Sequence, residues 1–147
     1  MDANKLALGG FWSAYWYNGN IYGSEIGRGL DVLRLTPSEH LSQNEIDAAK
    51  LVKMDRFNAQ LQTRTTWPAS FVVARAYLDQ LQRNDGLRKS WADPVSRDLA
   101  RAERLRGQPR RTALTNLAAR LERDARVAGD TARVKALASV VKDLAGQ

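Results

Sequence analysis

The chain has 147 residues, 44% of them hydrophobic, and carries 23 Lys and Arg against 16 Asp and Glu, a formal net charge of +7. That length supports one ordinary core plus an appendage. With no cysteine there is neither a disulfide framework nor a thiolate metal site, no run approaches the roughly 20 apolar residues of a membrane span, and Met1 to Gly10 lacks the basic and apolar regions of a signal peptide.

Residues 11–35 organise the first third. Six of the eleven aromatics (Phe11, Trp12, Tyr15, Trp16, Tyr17, Tyr22) crowd around Asn18-Gly19, the dipeptide that best favours a two-residue hairpin. Alternation predicts a strand over Trp12–Tyr17, with Trp12, Ala14 and Trp16 on one face and Ser13, Tyr15 and Tyr17 on the other. Asn20–Glu25 returns, Gly27-Arg28-Gly29 reverses the chain again, and Leu30–Leu35 makes a third strand. Leu6-Ala7-Leu8 suggests a short edge strand before it. Both faces of Trp12–Tyr17 are aromatic or small, so both are expected to be covered. Three strands cannot bury themselves, and the segment reads as part of something larger.

The run GGFWSAYWYNGNIYGSEIGRGLDVLRLTPSE resembles the end of the last blade in bacterial LVIVD-repeat proteins, which form β-propellers and are typically exported. In that family an aromatic strand, an NG turn, an IY strand and an RGLDV strand close a blade. The likeness continues through SQNEIDAAK and WPASFVVARAYLDQL. It implies a partial blade over residues 1–36, missing blades or another protein as partner, and a secreted or cell-surface location if the chain is part of a longer protein.

Beyond the sheet, Ser42 with Glu45 fits a capping box, and Leu41 with Ile46 a hydrophobic staple, so a helix is expected from Gln43 to Val52 or Met54. Residues 56–67 lose periodicity and read as an extended connector, completing a second segment over 37–67. Residues 68–147 read as an antiparallel bundle of three to four helices. Pro68 is expected to open the first, with the stripe Phe71, Ala74, Leu78, Leu81, and Asn84-Asp85-Gly86 to end it. Asp93-Pro94 is expected to cap the second, with Val95, Leu99 and Ala102 facing inward and Gly107 beyond its end. Leu87–Ala92 is left open as a separate turn. Pro109 opens the third, with Leu114, Leu117, Leu121 and Ala128 in line, and Asp130 caps the fourth, with Val134, Leu137, Val141 and Leu144. The bundle also resembles the FIMAH-type helical modules at the C-termini of exported bacterial proteins. The expected fold is mainly α, with a short antiparallel β-meander, a capped helix, a connector and an up-down bundle.

Residues 1–70 hold seven basic and seven acidic side chains, so the whole excess lies in 71–147, where 13 of 16 cations are Arg. Arg101, Arg104, Arg106, Arg110 and Arg111 are the candidate anionic-partner face, for an anionic cell-envelope polymer or, less favoured, nucleic acid. The competing reading is the solvated side of amphipathic helices, favoured by the interleaved acids and the absence of aromatic stacking platforms. No catalytic constellation stands out. His40 has no ligand companion; Ser13, Ser24 and Ser70 lack a nucleophile-elbow context. Glu25 and Asp31 approach across a strand reversal, where capping or pairing with Arg28 outweighs acid–base work. Gly27-Arg28-Gly29 is too short for a phosphate cradle, and the Trp/Tyr cluster reads as blade core before it reads as a sugar platform. The sequence therefore points to a non-catalytic interaction module with no cofactor, the alternative being a basic helical nucleic-acid binder.

Overall fold

A computed structural model describes residues 9–61 and 64–147; the Leu6–Leu8 strand expected from the sequence lies outside them. Strands β1 (Phe11–Tyr17), β2 (Asn20–Glu25) and β3 (Gly29–Leu33) form an antiparallel sheet in the order β1-β2-β3. Asn18 (φ 49°) and Gly19 (φ 100°) are both left-handed, the backbone of a type I′ turn whose twist matches that of the strands. Strand β3 starts at Gly29 and stops at Leu33, short of Leu35, because β2 offers it partners only from Ile21 to Glu25.

A bulge between Phe11 and Ser13 changes the faces. Trp12, expected beside Ala14 and Trp16, has no cross-strand partner and is 76% exposed. Phe11 instead shares Glu25's face and lies over Gly23, where an added Cβ would come within 2.4 Å of its ring. The opposite face is anchored by the segment after the next helix. Tyr15 and Tyr17 meet Phe57 at ring-centroid separations of 5.7 and 6.3 Å, and the Tyr17 hydroxyl donates to the Asp55 carbonyl at 3.2 Å. Asn18 grips Met54 twice: its Nδ2 donates to the Met54 carbonyl at 2.9 Å and its Oδ1 accepts from the Met54 N–H at 2.8 Å. Neither face is fully covered, contrary to the expectation for β1; Leu30 and Val32 on β3 are 64% and 56% exposed.

Helix α1 (Gln43–Lys50) has the complete capping box, Ser42 accepting from the Glu45 N–H and Glu45 accepting from the Ser42 N–H. It ends at Lys50, earlier than expected. A 3₁₀ turn, Ala59–Leu61, interrupts the connector expected over residues 56–67.

Four helices then pack in sequence around one core: α2 (Phe71–Arg83), α3 (Lys89–Arg104), α4 (Gly107–Asp124) and α5 (Thr131–Gly146). Each touches its chain neighbour, and α5 closes back on α2 while α1 lies outside against α2. Leu81, Leu99, Leu114, Leu121, Leu137, Val95, Val134 and Val141 are fully buried, and the core contains no sheet residue. Four boundaries differ from expectation. Pro68 precedes α2, whose cap is Ser70, accepting from the Val73 N–H at 3.3 Å. Pro94 lies inside α3, because buried Ala92 and half-buried Trp91 draw the Leu87–Ala92 stretch into its first turns. Gly107 opens α4 rather than trailing α3, and Ala128 falls beyond the end of α4 at Asp124.

The two loops at one end of the bundle lock together, with the Asp130 N–H donating to the Gly86 carbonyl at 3.1 Å. A Cβ on Gly86 would lie 2.9 Å from both Asp130 Cβ and Leu81 Cδ2, closer than any side chain tolerates without movement. Gly86→Ala is therefore expected to destabilise the bundle by about 1–3 kcal/mol, read as a lowered urea midpoint; an unchanged midpoint would show that the loops are not in register-setting contact.

Candidate interaction site

The five arginines singled out by the sequence do not form one face. Arg106, in the link between α3 and α4, donates to the Glu103 and Leu105 carbonyls at 2.9 and 3.0 Å, satisfying the free acceptors at the negative end of α3. Arg110 lies over the Phe71 ring at 5.1 Å, a cation–π contact that joins α4 to α2. Arg101 and Arg104 on α3 and Arg111 on α4 are exposed and make no ion pair or hydrogen bond among the described residues. Two of the five are thus structural, and three are available to a partner.

Arg101 borders a groove of ≈ 660 Å³ between α3 and α4. Its floor is apolar, made by Leu105, Pro109, Ala113 and Leu117. Gln108, Thr112, Asn116 and Arg120 form the α4 wall, each four residues after the last and hence aligned along one side of the helix. This row was not singled out in the sequence, where its mixed polar types carry no compositional signal; the four-residue spacing beside the apolar row Pro109, Ala113, Leu117 is the trace it leaves. Arg120 Nη2 is buried 2.8 Å from an Asp98 carboxylate oxygen without the alignment of a hydrogen bond, so the pair is held by charge. A second cavity, of ≈ 190 Å³, lies between α1 and α2 beside Trp67 and Tyr77; the one carboxylate on its edge, Glu45, is engaged by Arg83.

The other chemistry-bearing residues have local partners. Buried Glu25 accepts from the Gly10, Gly27 and Arg28 N–H groups at 3.0, 2.8 and 2.5 Å, and these, the Gly10 bond foremost, hold its carboxyl below the ordinary range. Asp31 is instead paired with the Arg28 guanidinium at 2.6 Å, which lowers its pKa. The two carboxylates thus share the Arg28 guanidinium, which also lies 3.9 Å from Glu25, while Glu25 in addition caps the reversal. His40 is exposed beside Glu39, Ser70 caps α2, and Ser13 and Ser24 sit opposite each other in the sheet. Among the described residues no group of three or more His, Cys, Asp or Glu is placed to hold a metal, and no helix is long and apolar enough to cross a membrane.

No family model, curated protein or solved structure matches this chain.

Proposed function

We propose that the chain is a non-catalytic structural and interaction module, corresponding to the C-terminal part of an LVIVD-repeat-like exported protein, with a sheet that is completed by strands from a partner. The observation that carries this reading is the state of the sheet. Among the described residues it is open, with no further strand on the outer edges of β1 and β3, and Phe11, Trp12, Tyr15, Leu30, Val32 and Leu33 are exposed on it. Such edges and apolar patches are what a further strand or blade covers. The bundle, in contrast, is closed on itself through α2 and α5.

Amides of β1–β3 are expected to exchange with solvent about a hundredfold faster than those of α2–α5, because the sheet contributes nothing to the bundle core. The chain is also expected to bind an apolar dye, and Leu30→Lys with Val32→Lys to abolish most of that binding without loss of helical circular dichroism. A sheet as protected as the bundle, in a chain that binds no dye, would remove the basis for a partner blade.

A further inference from the structure

We propose that the groove between α3 and α4 is a docking site for an acidic amphipathic helix of a partner protein, an interface separate from the sheet. Its shape and its charge both select that occupant. Two antiparallel helices leave a trough whose floor, from Leu105 to Leu117, is apolar, with Ala113 small enough for a helix to approach closely. Along most of its length, from Thr112 to Arg120 on α4, the backbone groups are bonded within the helix, and only the α3–α4 link beside Leu105, Gln108 and Pro109 has helix-terminal groups free of intrahelical bonds. An extended strand would therefore leave its own N–H and C=O groups unpaired along that length, whereas a helix satisfies them internally.

Charge fixes the sign of the partner. Residues 88–126 hold eleven Arg and Lys against five Asp and Glu, an excess of six in a chain whose total is +7. Two of those acids are already neutralised, Asp98 by Arg120 and Glu103 by Arg75, which leaves Arg101 on the rim of the groove and Arg104 farther along α3 without counter-charge among the described residues. Carboxylates flanking the apolar stripe of an incoming helix would meet Arg101 on one side and the amides of Gln108 and Asn116 on the other. A nucleic acid is less well served, because no aromatic lines the groove and its floor offers phosphates nothing.

The test uses the full chain and a labelled synthetic peptide of about 18 residues, five turns, with a Leu/Ala stripe flanked by Glu. Saturable binding is expected, weakened about tenfold by Arg101→Glu and to a similar extent by Thr112→Trp, which fills the groove from an exposed position. The same peptide with Lys for Glu should not bind. Both variants alter solvent-facing residues, and circular dichroism checks that they fold. The proposal is overturned if the peptide does not saturate, if Thr112→Trp has no effect, or if a scrambled peptide of equal composition, poly-glutamate or duplex DNA binds as tightly. The sheet-completion reading survives any of these outcomes, since none involves β1–β3.

Discussion

Replacing Leu121 with Ala is expected to destabilise the bundle by about 3 kcal/mol, through lost transfer free energy plus the cavity left behind. Leu121 is fully buried in α4, within the core shared by all four bundle helices, so no single neighbour can move in to fill the space. For a unit of this size the loss corresponds to a melting temperature lower by about 12–24 °C. Val127→Ala, also a loss of apolar atoms but at a position 69% exposed, is expected to stay within about 0.5 kcal/mol of the parent. Helical circular dichroism through a urea titration checks both. Hydrogen exchange adds a second readout: Leu121→Ala should raise exchange throughout α2–α5 and leave the relative exchange within β1–β3 unchanged. Equal effects of the two substitutions would contradict a single core from which the sheet is excluded.

What could be read from the sequence was what depends on neighbours close along the chain. The Ser42/Glu45 capping box, the Asn18-Gly19 turn and the Asp130 cap each require only residues within a turn of one another, and all three form. The inward stripes of α5 and, apart from Ala128, of α4 were legible for the same reason, being set by helical period alone. Proline misled where tertiary burial competed with local preference. At Pro94 the burial of Ala92 and Val95 outweighs the missing backbone donor, and at Pro68 the nearby Ser70 supplies the better cap. The bulge at Trp12 and the position of Phe11 over Gly23 follow from cross-strand register, which alternation within one strand does not contain. The arginine cluster shows the same limit: whether Arg110 faces a partner or Phe71 depends on how α4 lies against α2, and no spacing within residues 101–111 encodes it.

Arg83→Met is expected to release α1 from the bundle at neutral pH, at a cost of about 3 kcal/mol. In the parent, Arg83 donates to both Glu45 oxygens at 2.7 Å, with the Glu45 side chain 7% and the Arg83 side chain 27% exposed. The guanidinium is the main reason that the Glu45 carboxyl is lowered from 4.5 to about 2, and the Ser42 N–H adds to it. An acid whose folded pKa is depressed stabilises the fold in full above its unfolded value and loses that contribution as pH falls through the folded one. The parent is therefore expected to keep α1 docked above pH 4.5 and to lose about 3 kcal/mol of that docking as pH falls from 4.5 to 2. Arg83→Met should be undocked at the start and show little further change over the same window. Because Met54 and Asp55, just beyond α1, hold Asn18 and Tyr17, the sheet should leave with α1 while the core of α2–α5 stays folded. Exchange at α1 and β1–β3, followed with pH in both proteins, decides the matter: an identical pH dependence with and without Arg83 would mean that this ion pair does not dock α1.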